Sequence, residues 1–148
     1  MQKLNLPFAQ LIISQIENKS YVFDLIRKKH ILLTPEEWVR QNFLHFLMNY
    51  LHYPKALCAI ERGLKYHTLR KRTDITIYDQ SGKVFMVVEC KASHIPLTQK
   101  TFEQAANYSY SLMAKYLVVT NGLRHLCCRL NHESKTYEFL ENLPKYES

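Results

Sequence analysis

The run VFMVVEC, Val84 to Cys90, is apolar at both parities until Glu89 interrupts it, and Lys91 follows two residues on. Side chains alternate along a strand, so Phe85, Val87, Glu89 and Lys91 share one side, and Met86, Val88 and Cys90 share the other. A strand that is apolar on both sides is covered on both, which points to a sheet flanked by helices. The same burial makes an ionised pair at the strand's end costly unless another charge stands opposite.

The rest of the chain supplies such a sheet. Thr34 opens TPEEWVRQNFLHFLMNYLHYP as an N-cap, with Pro35 in the first turn and Glu37 at the third position of a capping box, and the helix is expected to end before Pro54. Trp38, Phe43, Leu44, Leu47 and Leu51 recur at helical spacing and mark its core side. ALCAIERGLKY reads as a strand. Asp74–Tyr78 (DITIY) and Val84–Lys91 read as a hairpin around DQSGK, with Gly82 in the turn. TQKTFEQAANYSYSLMAKY reads as a second helix, KYLVVTN as a strand, and CCRLNHESKTYEFL as a terminal hairpin. Ahead of the first helix, Phe8–Ile13, Tyr21–Ile26 and Ile31–Leu33 suggest two or three short strands. Repeats, low-complexity tracts and linkers are absent, so 1–148 is read as a single domain.

Composition narrows the function classes. Twenty Lys and Arg against thirteen Asp and Glu leave a formal charge of +7, which suits a polyanion as partner. Cys58, Cys90, Cys127 and Cys128 form no C-x-x-C pair, so they read as reduced core thiols rather than a zinc site or a disulfide framework. Neither a signal peptide nor a membrane-spanning run is present, and the cytoplasm is the expected compartment. No histidine has metal-ligand spacing, and nothing nominates a partner for a nucleophilic cysteine.

Asp74 is the candidate opposite Glu89, because it begins the partner strand. Register decides the matter: an even loop, or an odd loop with a compensating bulge, puts Asp74 on the side of Glu89 and Lys91, whereas an odd loop alone puts it on the other. Two carboxylates held that close repel each other, and a hard divalent cation relieves them. A water acidified by that cation and held by Lys91 can attack phosphorus, which is phosphodiester hydrolysis. The plain alternative is a Glu89–Lys91 ion pair worth about 0–1 kcal/mol. Gln104 and Tyr108 lie four apart on the second helix, on a face that can meet the strand's end, although either could serve packing alone.

Asp74, then Glu89-Cys90-Lys91, then Gln104-x-x-x-Tyr108 resembles the PD-(D/E)xK nuclease superfamily in its Q-x-x-x-Y branch. FDLIRKKHILLTPEEWVRQ, RTDITIYDQSGKVFMVVECKA and VVTNG are similar to the N-terminal nuclease domain of type I restriction enzyme motor subunits, a likeness running from about Tyr21 to Gly122. The resemblance implies a restriction-endonuclease-like mixed β-sheet flanked by helices, with an added N-terminal β segment. It implies Mg²⁺- or Mn²⁺-dependent DNA cleavage, with Asp74 and Glu89 as metal ligands, Lys91 acting on the water, and Gln104 and Tyr108 placing the substrate or the lysine. A further glutamate from the first helix is expected, and Glu36 is preferred because the cap already accounts for Glu37. Thr73 stands where the motif's Pro would be. The chain has no G-x-x-x-x-G-K-[ST] loop, so ATP hydrolysis by that route is not expected.

Two basic clusters flank the motif in sequence: Arg27, Lys28, Lys29 and His30, and Lys65, His67, Arg70, Lys71 and Arg72. Arg27, Lys28, Lys29, Arg70, Lys71 and Arg72 are candidate phosphate contacts, with solvated turns as the alternative. The leading functional expectation is a DNA endonuclease, acting as a homodimer or with restriction-system subunits. Its rivals are a non-catalytic DNA-binding or docking module on the same fold, and a nuclease for RNA or modified DNA.

Overall fold

The computed structural model describes residues 1–66 and 69–147, with the side chains of 61–66 and 69–72 left out. Three short strands, β1 (Ile13–Ile16), β2 (Lys19–Asp24) and β3 (Lys29–Leu32), form an antiparallel sheet of their own. Helix α1 (Pro35–Asn49) follows, then β4 (Cys58–Tyr66), β5 (Leu69–Tyr78), β6 (Val84–Cys90), helix α2 (Gln99–Ser111), β7 (Tyr116–Thr120), β8 (His125–Asn131) and β9 (Thr136–Leu140). The last six strands make one sheet in sequence order, antiparallel throughout except where β7 runs parallel to β6. That pair requires a crossover, and α2 supplies it. The fold is a mixed β-sheet flanked by helices, with the added N-terminal β segment.

The doubly apolar strand explains the layers. Met86, Val88 and Cys90 meet Ile75, Ile77 and the Val39, Phe43, Leu44 and Leu47 stripe of α1. Val87, on the opposite side, meets Phe102, Ala105 and Ala106 of α2 together with Leu117 and Val119. Each helix therefore covers one face, and β7, whose five residues are all buried, is sealed between them. Thr34 caps α1 as expected, its hydroxyl accepting from the Glu37 N–H at 3.1 Å. Thr98 caps α2 in the same way through Thr101.

Several boundaries differ from the sequence reading. Phe8–Ile12 lies outside any strand, and the polar stretch SQIENKS, read as a separator, is itself strand, turn and strand. Glu17 and Asn18 both take left-handed φ values, 52° and 66°, which gives the two-residue turn whose twist suits a hairpin. Local turn geometry, rather than apolar alternation, sets those strands. Similarly, β5 begins at Leu69, five residues before the reading placed it, because it pairs along β4 across a hairpin rich in basic residues.

Candidate active site

The β5–β6 hairpin has a five-residue loop, with Tyr78 opposite Val84. By itself that odd loop would align Asp74 with Val88 and leave it on the far side of the sheet from Glu89. The register shifts by one between Ile77 and Tyr78, so Ile77 pairs with Met86 and Ile75 with Val88. Continued by one residue, this pairing sets Asp74 opposite Glu89. Phe85 is the extra residue, and a bulge of this sort re-aims every side chain beyond it. In the loop, the Asp79 carboxylate accepts from the Ser81 and Lys83 N–H groups, and Gly82 takes the φ of 81° expected of it.

Asp74 is held from two directions. Its Oδ2 accepts from the Cys90 N–H at 2.7 Å, and its Oδ1 from Arg40 Nη2 at 2.7 Å. Burial, a hydrogen bond with Asp74 and the Asp74 charge together push the Glu89 carboxyl up to about 9, against the pull of Lys91, and Glu36 adds to the upward push. At neutral pH Glu89 therefore keeps its proton. Lys91 is anchored by its backbone, which donates to the Thr120 carbonyl at 2.8 Å beside the end of β7. Tyr108 is buried on α2, and burial, followed by the charge of Glu89, raises its hydroxyl. Gln104 is exposed one turn earlier on the same helix.

Behind Asp74 runs a chain of alternating charge. Arg40 Nη1 donates to Glu37 Oε1 at 2.5 Å, and Glu37 Oε2 accepts from Arg27 Nη2 at 2.9 Å and Gln41 Nε2 at 3.0 Å. Arg27 Nε and Gln41 Nε2 each donate to Asp24 Oδ2 at 2.8 Å. Asp24 Oδ1 accepts from the N–H groups of Ile26 and Arg27, closing the β2–β3 turn. Burial works against the Asp24 charge, but these donors outweigh it and hold the carboxyl below the usual range. Arg40 stays fully charged for the same reason: its carboxylate partners overcome its burial.

Two sequence expectations are revised. Arg27, read as a phosphate contact, bridges Asp24 and Glu37, and only 14% of its side chain is exposed. Glu37 does more than the cap requires: Thr34 caps its N–H while its carboxylate joins the buried chain. Glu36 keeps a half-exposed side chain 3.5 Å from Arg40 and adds to the field on Glu89. Lys28, Lys29 and His30 are exposed, as a phosphate contact requires. The side chains of Lys65, Arg70, Lys71 and Arg72, and all of His67, lie outside the described residues. The four cysteines are free and buried, and burial pushes the Cys90 thiol well up, away from thiolate chemistry.

Among the described residues, no group of three or more His, Cys, Asp and Glu side chains converges as a metal site. The donor set is the Asp74–Glu89 pair, and that suits Mg²⁺, which commonly takes one or two carboxylates and keeps several waters. The charge balance fits as well. Asp24, Glu37 and Asp74 set three carboxylates against the guanidiniums of Arg27 and Arg40, before Glu89 and Glu36 are counted.

The family described as type I restriction enzyme R protein N terminus (HSDR_N) matches residues 35–144. The chain belongs to that family. A solved fragment assigned to the HsdR subunit of a type I restriction enzyme from Vibrio vulnificus YJ016 is similar at 21% identity and a TM-score of 0.41. The match covers 60% of this chain and 19% of that one. Curated proteins offer no match. The HSDR_N region takes in Arg40, Asp74, Glu89, Lys91 and Tyr108, whereas Asp24 and Arg27 precede it.

Arg40 and Gln41 were missed by sequence reasoning, and a signal for Arg40 existed. It stands three, four and seven residues before Phe43, Leu44 and Leu47, on the apolar stripe of α1. A charge at a core position needs a buried partner.

Proposed function

We propose that this domain is a divalent-metal-dependent endonuclease acting on DNA within a restriction system. The observation that carries the proposal is the register shift at Phe85, which turns Asp74 towards Glu89 on the strand that leads into Lys91. Asp74 and Glu89 would hold Mg²⁺ or Mn²⁺, with Glu36 near enough to add to their field. A cation bound there supplies Lewis-acid activation of the phosphodiester and of the attacking water.

The remaining roles fall to this chain's own groups. To hold such a cation, Glu89 would release its proton to solvent. Lys91 would orient the water, whose oxygen bonds to phosphorus as the bond to the leaving sugar oxygen breaks, with the water's proton lost to solvent and the leaving oxygen protonated from solvent. Tyr108 and Gln104 present hydroxyl and amide groups from α2 to the scissile phosphate or to Lys91. Lys28 and Lys29 contribute phosphate contacts without base readout. Cleavage of both strands calls for two such sites, from a homodimer or through restriction-system subunits, and the compartment is the cytoplasm. No helix among the described residues is long and apolar enough to cross a membrane.

One observation favours a non-catalytic DNA-binding or docking module: Arg40 already supplies Asp74 with a cation. Incubation with supercoiled plasmid and Mg²⁺ or Mn²⁺ separates the two readings. Wild type is expected to nick the plasmid and Lys91→Ala to lose at least about a hundredfold in rate. Equal nicking by both proteins, or none by either, sinks the catalytic reading.

A further inference from the structure

The guanidinium of Arg40 is the group nearest Asp74 that the proposed chemistry leaves unassigned. It is an internal cation fixed on a carboxylate that is meant to receive another cation. Arg40 is 5% exposed and reaches both ways, to Asp74 Oδ1 at 2.7 Å and to Glu37 Oε1 at 2.5 Å. Glu36 stands at 3.5 Å from the same Nη2. Glu37 is in turn held by Arg27 and Gln41, both of which reach Asp24. This frame fixes Arg40 at both Nη atoms, Nη2 on Asp74 and Nη1 on a carboxylate that is itself pinned.

Building on the metal-site reading above, we propose that Arg40 is a positioning residue that orients Asp74 and sets the divalent-cation affinity of the Asp74–Glu89 pair. Two opposed effects are at work. The hydrogen bond preorganises the carboxylate, which favours cation binding, while the guanidinium charge repels the incoming cation. The guanidinium lies 2.7 Å from an oxygen of the carboxylate that would take the cation, so two like charges would compete for one acceptor, and repulsion wins. Glu37 acts in the opposite sense, since it draws part of the Arg40 charge away from Asp74.

The expected signs therefore alternate along the chain, and Mn²⁺ titrated calorimetrically into the purified protein reads them directly. Arg40→Met is expected to lower the Mn²⁺ dissociation constant about tenfold, and Glu37→Gln to raise it about threefold. If Arg40→Met does not fold, Arg40→Lys serves: its compact ammonium cannot bridge both carboxylates, and tightening of about threefold is expected. Loss of affinity in both substitutions, the result of a merely structural role, overturns the inference, as does an unchanged constant in the Arg40 variants. A wild type that takes up no Mn²⁺ instead removes the metal site itself, and this inference with it.

Discussion

The domain buries charge in two adjoining places with opposite outcomes. Around Asp24, Arg27, Glu37 and Gln41, every carboxylate oxygen has a donor at 2.5–3.0 Å, and the Asp24 carboxyl stays ionised. At Asp74 and Glu89, a few residues away, two carboxyls lie together with half of Arg40 and a nearby Lys91, and Glu89 keeps its proton. Complete pairing marks charge used to join elements, here the N-terminal sheet to α1. Incomplete pairing marks charge that a ligand would complete.

The difference can be broken most forcefully on the compensated side. Asp24→Ala removes the acceptor for Arg27, Gln41 and two backbone N–H groups, and a loss of about 3–5 kcal/mol in urea unfolding is expected. A loss below about 1 kcal/mol would mean that the chain of charges joins nothing.

On the other side the sign reverses. Glu89→Gln is expected to stabilise the protein at pH 8 in EDTA by on the order of 2 kcal/mol, because folding no longer has to hold a proton that the unfolded chain has released at that pH. The pH dependence follows from the raised carboxyl. Between the unfolded value near 4.3 and the folded value, the native state holds a proton that the unfolded chain has released, so stability falls as pH rises through that window. Denaturant midpoints of wild type in EDTA should decline from about pH 5 towards pH 9, and those of Glu89→Gln should be flatter. Asp24 makes the opposite contribution: its depressed carboxyl adds stability above about pH 4, which is lost as pH falls through the folded value.

The smallest effects belong to the exposed turn. Lys28→Ala and Lys29→Ala should each change stability by less than about 0.5 kcal/mol. In a DNA-binding titration against salt, each should reduce the slope of log K by about 1 if it touches a phosphate. An unchanged slope would remove that lysine from the interface.

Much of this arrangement was legible before any coordinates. The doubly apolar VFMVVEC required cover on both sides, and α1 and α2 provide it. Thr34-Pro35 announced its helix through capping chemistry that depends only on near neighbours. Less legible was the β1–β2 hairpin, because its strands carry little apolar alternation and its turn depends on left-handed φ at Glu17 and Asn18, a conformation that Asn favours but Glu seldom adopts. The role of Arg27 was not legible at all, since its partner Glu37 lies ten residues away on another element.

The chain by itself determined the layers, the strand and helix order, and the order Asp74, Glu89, Lys91, Tyr108, because alternation, capping and turn preferences act over a few residues. Only the tertiary structure decided whether those groups meet. A single extra residue at Phe85 turns Asp74 towards Glu89, and contacts across 34 residues in sequence bring Arg40 to Asp74. Register and charge pairing are collective: a bulge or a buried ion pair has its energy from neighbours that folding, not proximity in sequence, brings together.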